Sequence, residues 1–119
     1  MRLKDRCILI VEDEPIVALL VEDMLTELGC HQVVHAASVP EALELLHTHR
    51  PDAAVLDVNL RNVQVYPVAE YLAAAHIPFI FATGYGRSGV VERWQDMRVI
   101  QKPFERSTLA AALGAILEC

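Results

Sequence analysis

Apolar positions recur along this chain in two rhythms, short unbroken runs alternating with longer stretches of helical period. The first run, Cys7-Ile8-Leu9-Ile10-Val11, has no polar interruption, which suits a strand covered on both faces. Pro15 then opens a predicted helix whose apolar residues Val17, Leu20, Val21, Met24, Leu25 and Leu28 follow i, i+3, i+4, i+7, i+8, i+11, and Gly29 is placed to end it. Gln32 to Ala37 reads as a second, weaker strand. Ser38 is a candidate cap for the next helix: Glu41, three residues on, completes a capping box, and Val39, Ala42, Leu43 and Leu46 form the inner stripe. Pro51 stops that helix, and Ala53 to Leu56 form a third strand that delivers Asp57 at its carboxyl end.

A third helix carries Val65, Val68, Ala69 and Leu72. The fourth strand, Phe79-Ile80-Phe81-Ala82, starts after Pro78 and delivers Thr83. A fourth helical segment is expected at about Ser88 to Gln95, between glycines and poorly patterned. A short strand, Arg98 to Gln101, delivers Lys102, and a last helix sets Leu109, Ala112, Leu113, Ile116 and Leu117 on one face. Five strands and five helices in strict alternation predict an α/β fold, a doubly wound five-stranded parallel sheet with right-handed crossovers. In such sheets ligands bind beyond the carboxyl ends of the strands.

Composition narrows what the fold can do. At 119 residues the chain reads as a single domain, 1–119, and 54% hydrophobic against 22% charged residues supports a packed core. A formal net charge of −6 argues against direct binding of nucleic acid or of anionic lipid. The apolar or glycine run Leu109 to Leu117 is too short to span a membrane, and the Cys7 to Val11 run meets Glu12, Asp13 and Glu14, which is unlike a secretion signal. A cytoplasmic location follows as the expectation. Cys7, Cys30 and Cys119 are odd in number and widely spaced, so they read as reduced thiols.

The strand ends collect Glu12 and Asp13, Asp57, Thr83 and Lys102. Three crowded carboxylates call for a cation, and oxygen ligands without His or Cys suit Mg²⁺. Lys102 supplies a point charge for an incoming phosphoryl oxygen and Thr83 a hydroxyl donor. No glycine-rich phosphate cradle follows the first strand, so nucleotide hydrolysis fits poorly. What remains is Asp57 itself as the nucleophile that takes a phosphoryl group as an acyl phosphate.

Together these residues resemble the receiver domain of two-component response regulators, over the whole chain. The resemblance rests on the pair Glu12 and Asp13, on Asp57 followed by Asn59, on Thr83, and on the triplet Lys102-Pro103-Phe104. The stretch Phe81-Ala82-Thr83-Gly84-Tyr85-Gly86 further resembles the subgroup nicknamed "FAT GUY" receivers. The family implies a flavodoxin-like (βα)5 sheet of order 2-1-3-4-5. It also implies a phosphorelay domain that is not an enzyme in its own right, with Asp57 accepting its phosphoryl group from a sensor histidine kinase or a histidine phosphotransfer protein. Mg²⁺ would be held by Asp13, Asp57 and the backbone carbonyl of Asn59, with Glu12 reaching it through water. Lys102 would pair with Asp57 and then with phosphoryl oxygens, and the Lys102–Pro103 bond is implied to be cis. Thr83 would be drawn inward on phosphorylation, shifting the face that a downstream protein target or output domain reads. Asn59 and Tyr85 would flank the site and tune the acyl phosphate's lifetime. Self-association through the first helix or the fourth and fifth elements is a further partnership the family allows. One departure is Val99, which stands where many receivers carry an aromatic residue; Tyr85 is the expected substitute carrier of the signal.

Two other functions compete. A phosphatase of the haloacid dehalogenase kind also uses a strand-end Asp, but its general acid would fall at Asn59. A receiver-like interaction module that is never phosphorylated would have no need for Asp13, Asp57, Thr83 and Lys102 together. His47 and His49 lie at i and i+2 and so point to different sides of a helix, a poor metal pair; His31, His35 and His76 read as surface or turn residues. Trp94 is either a partner-binding residue or a side chain packed in a loop.

Overall fold

The computed structural model describes residues 3–117. Among the described residues, seven strands form two sheets: β1 (Cys7–Val11), β2 (Gln32–Ala36), β3 (Ala53–Asp57), β6 (Phe79–Thr83) and β7 (Val99–Gln101) make the main one, in the order β2-β1-β3-β6-β7. All four pairings are parallel, so the five main strands in chain order lie 2-1-3-4-5, as expected. Strands β4 (Asn59–Leu60) and β5 (Val63–Gln64) form a small antiparallel hairpin that the apolar pattern does not announce.

Four α-helices cover the main sheet: α1 (Pro15–Glu27), α2 (Val39–Leu46), α3 (Tyr66–Ala74) and α4 (Arg106–Leu117). Residues that alternate along the strands separate into two cores. Ile8, Ile10, Val55, Ile80 and Ala82 pack with Val21 and Leu25 of α1 and Leu109 and Leu113 of α4. Leu9, Val11, Leu56, Phe79 and Phe81 pack on the other face with α2 and α3. Burying each large aliphatic side chain contributes about 2 kcal/mol, and covering both faces explains why the strands read as continuous apolar runs. Among the described residues, no helix is long and apolar enough to cross a membrane.

Local signals act as their chemistry dictates. The Ser38 hydroxyl accepts from the Glu41 N–H at 3.2 Å, while Glu41 reaches back to the Ala37 N–H, one residue outside the usual box. Gly29 takes φ +97° just past α1, a conformation that ends a helix without steric cost.

Two expectations are corrected. The helix expected from Ser88 to Gln95 does not form; two 3-10 turns, Gly86–Gly89 and Glu92–Trp94, stand in its place, and the (βα)5 pattern therefore has four α-helices. The cause is local: Gly86 is left-handed at φ +60°, and the β-branched pair Val90-Val91 is extended between the turns. Leu20, which the period groups with Val17, Val21, Met24, Leu25 and Leu28 on the first helix, is exposed along with Ile16 and Leu19, because α1 buries the face defined by Ala18, Val21 and Leu25. Trp94 is buried, edge-on to Phe79 and Phe81 at 5.9 and 6.2 Å between ring centres, with the Arg93 guanidinium over its ring at 4.9 Å. Cys7 and Cys30 are free thiols, and Cys119 lies outside the described residues.

Candidate functional site

The carboxyl ends of β1, β3 and β7 converge because adjacent parallel strands are in register, Val11 beside Leu56 and Asp57 beside Ala82. Glu12 follows β1, and its backbone is tied to β2 by the Glu12 N–H donating to the Ala36 carbonyl at 3.0 Å. Its buried side chain accepts from Lys102 Nζ at 3.0 Å and from the Glu14 N–H at 3.1 Å. Asp57 closes β3 and is 7% exposed, with Lys102 Nζ 3.5 Å from its Oδ1. Asp13 completes the group: one oxygen each from Glu12, Asp13 and Asp57 lies within 4.8 Å of the others.

Like charges at that separation repel by roughly 3–4 kcal/mol per pair at an effective dielectric near 20. The electrostatic consequence falls on Asp57, where burial, and then the Glu12 charge, push the carboxyl up to about 7 against the opposing pull of Lys102. Burial alone would push Lys102 down; its hydrogen bond to Glu12, with the charges of Asp57 and Glu12, outweighs that and holds the ammonium above its ordinary value. A cation with oxygen preference fits this donor set: three carboxylates converge and neither His nor Cys is among them. A second cation, Arg61 on the hairpin, already leans in, its Nε 3.3 Å from Asp13 Oδ2.

The remaining expected residues divide. Thr83 ends β6 fully buried, its backbone carbonyl accepting from the Lys102 N–H at 2.9 Å, which ties the two strand ends together. Its hydroxyl accepts from the Tyr85 N–H at 3.2 Å. Tyr85 itself is 73% exposed, outside the carboxylate cluster. Asn59 is exposed at the start of the hairpin, two residues past Asp57. The Lys102–Pro103 peptide is cis, and Pro103 is exposed beside the half-buried Phe104. His47 and His49 are exposed at the end of α2, where His49 Nδ1 contacts the Leu45 carbonyl of its own helix end.

Two participants were not visible in the sequence. Arg61 takes φ +59° in the two-residue turn between β4 and β5, a position glycine ordinarily fills, so no turn signal marks it. His35, an exposed β2 residue, donates from Nε2 to the Glu12 carbonyl at 2.8 Å and so braces the acidic segment from the neighbouring strand.

Comparison with known proteins agrees with this fold. "Transcriptional regulatory protein PdtaR" of Mycobacterium tuberculosis is 33% identical over 112 residues, covering 91% of this chain and 55% of the relative. The chain thus spans about half the length of that curated relative. The solution structure of SdrG from Sphingomonas melonis Fr1 superposes with a TM-score of 0.84 at 47% identity, over 94% of this chain and 96% of that one. A receiver domain of sensor histidine kinase PA1611 from Pseudomonas aeruginosa PAO1, described with a magnesium ion coordinated in its active site cleft, matches with a TM-score of 0.79 at 25% identity, over 96% and 98% of the two chains. Residues 8–114 match the sequence model of the response regulator receiver domain, all but the ends of the chain. Fold, strand-end chemistry and kinship thus converge, and the chain belongs to the response regulator receiver family.

Proposed function

We propose that this chain is a phosphoacceptor switch in which Asp57 takes a phosphoryl group from a phosphohistidine on a sensor kinase or phosphotransfer protein. An Asp57 carboxylate oxygen attacks phosphorus, an O–P bond forms as the N–P bond breaks, and the imidazole leaves with the electron pair of that bond. The observation that carries this is Asp57 at the strand end, buried, within 3.5 Å of Lys102 Nζ and grouped with two further carboxylates. Lys102 holds the developing negative oxygen, and Thr83 donates to another once its hydroxyl turns from the Tyr85 N–H. Mg²⁺, held by Asp13, Asp57 and the Asn59 carbonyl with Glu12 acting through water, would supply the rest of the charge neutralisation. The magnesium ion in the PA1611 receiver and the beryllofluoride-activated conformation described for SdrG support the same assignment.

The donor's docking place follows from position. An apolar groove of about 250 Å³, lined by Val17, Leu20, Met24, Pro103 and Phe104, opens beside Lys102. A helical bundle presenting phosphohistidine would cover those side chains while reaching Asp57. The signal leaves through Thr83, Tyr85 and the two 3-10 turns to a downstream protein or output domain. Residues 1–119 act in this scheme as one receiver unit, on the cytoplasmic side where phosphohistidine is made.

Acetyl phosphate with Mg²⁺ should add one phosphoryl mass to the protein and none to Asp57→Asn. Equal labelling of the two proteins, or of neither, would defeat the assignment.

A further inference from the structure

The buried Thr83 hydroxyl is hemmed in by one residue the sequence gives no reason to notice. A β-carbon at Gly89 would stand 2.4 Å from Thr83 Oγ1, 3.2 Å from its Cγ2 and 3.1 Å from Tyr85 Cβ. The contrast with the other glycines is informative. Gly29 and Gly86 have left-handed backbones and Gly84 faces open space, whereas Gly89 has a backbone that any residue could adopt. Glycine at 89 is therefore required by space alone, and the space in question belongs to Thr83.

Strand alternation says why this matters. Phe79 and Phe81 lie in the core under α2 and α3, so Thr83, two residues on, belongs to that face. Val55 and Ala53 lie in the core under α1 and α4, so Asp57 belongs to the opposite face. At rest the Thr83 hydroxyl is engaged by the Tyr85 N–H, on its own side of β6. To meet a phosphoryl oxygen on Asp57 it must turn about its Cα–Cβ bond, since its backbone is held between β3 and β7.

We propose that Gly89 is a positioning residue for Thr83: its missing side chain is the seat that keeps the hydroxyl in its resting orientation, and filling that seat drives the hydroxyl toward Asp57. This rests on the phosphoacceptor reading above. A contact of 2.4 Å cannot persist, so either Thr83 turns or the first 3-10 turn lifts. Turning gives up one neutral hydrogen bond; lifting the turn disturbs the Val90 N–H bond to the Arg87 carbonyl and the Arg87 bonds to the carbonyls of Gln95 and Met97. Thr83 is the softer of the two.

The test is Gly89→Ala in wild-type and Thr83→Ala backgrounds, read by amide shifts with and without Mg²⁺ and beryllofluoride. In the wild-type background, without beryllofluoride, the Thr83, Gly84 and Tyr85 amides should move toward the positions that wild type takes with it. In the Thr83→Ala background the same substitution should lose that effect, because both obstructing Thr83 atoms are gone and only the Tyr85 Cβ contact at 3.1 Å remains. If Gly89→Ala alone does not fold, Thr83→Ala should restore folding, and failure to restore it overturns the proposal. So does a Tyr85 amide left in place by Gly89→Ala, or one moved equally in both backgrounds, which would indicate only a displaced turn. A wild type unresponsive to beryllofluoride would instead defeat the phosphoacceptor reading, and the backgrounds compared without it still decide whether Gly89 seats Thr83.

Discussion

Replacing Asp57 by Asn should make the metal-free protein more stable, although it removes the residue assigned to the chemistry. In the fold the Asp57 carboxyl is raised from 3.8 to about 7, first by burial and then by Glu12. The fold therefore binds a proton there more tightly than the unfolded chain does. Stability contributed by this group is greatest below pH 4, falls as pH rises toward 7, and levels off above it. At about 1.4 kcal/mol per pH unit, the full loss is on the order of 4 kcal/mol at pH 8. Asn cannot ionise, so it escapes that loss, and the pull of Lys102, 3.5 Å away, is already contained in the shift from 3.8 to about 7. The net expectation is that Asp57→Asn is more stable than wild type by about 4 kcal/mol at pH 8, with no advantage at pH 4. Urea denaturation followed by circular dichroism in EDTA, from pH 4 to 8, measures it. A difference that does not change with pH, or an Asn variant that is the weaker protein at pH 8, would refute the electrostatic account of the site. Mg²⁺ should close the gap, because a ligand that binds only the folded state stabilises it by mass action.

Three further outcomes are expected. Arg61→Gly removes both a left-handed arginine and the guanidinium on Asp13, so Mg²⁺ should bind up to about fivefold more tightly by calorimetry, as an exposed ion pair is worth at most about 1 kcal/mol; weaker binding would show that Arg61 assists the cation. Trp94→Ala opens a hole beside Phe79 and Phe81 and should cost about 3 kcal/mol in urea; since Trp94 is the sole tryptophan, circular dichroism must follow it, and a loss under 1 kcal/mol would mean the turn does not pin the sheet. Tyr85→Ala should blunt the amide shifts that beryllofluoride induces around the 3-10 turns, and an unchanged response would remove Tyr85 from the signal path.

The five main strands were legible because burial on both faces leaves uninterrupted apolar runs, and the acids, Thr83 and Lys102 fall directly where those runs stop. That Glu12, Asp13, Asp57 and Lys102 meet was therefore readable, since adjacent parallel strands bring their ends together whatever the loops do. The hairpin was not, because strands of two residues carry no period and its turn uses Arg61 where glycine would have marked it. The segment after Thr83 misled for a different reason: its polar and apolar residues permit a helix, but Gly86 and the extended Val90-Val91 pair decide against one. Leu20 misled because α1 is apolar on more than one side, and a stripe of correct period does not say which side faces the sheet.

The two short turns carry a mechanical consequence. A continuous helix moves as a rod, but here residues 86–97 form a strap with unequal ends. Its far end is clamped by the Trp94 ring, and Arg87 of the first turn reaches across to the carbonyls of Gln95 and Met97. Its near end stands over Thr83 at Gly89, while Val90 between the turns is buried in the core and the Val91 N–H donates to the Tyr66 hydroxyl at 3.0 Å. A pull at the strand tip thus meets the strap first at Gly89 and is passed on by Arg87, while the Trp94 ring keeps the second turn on the sheet.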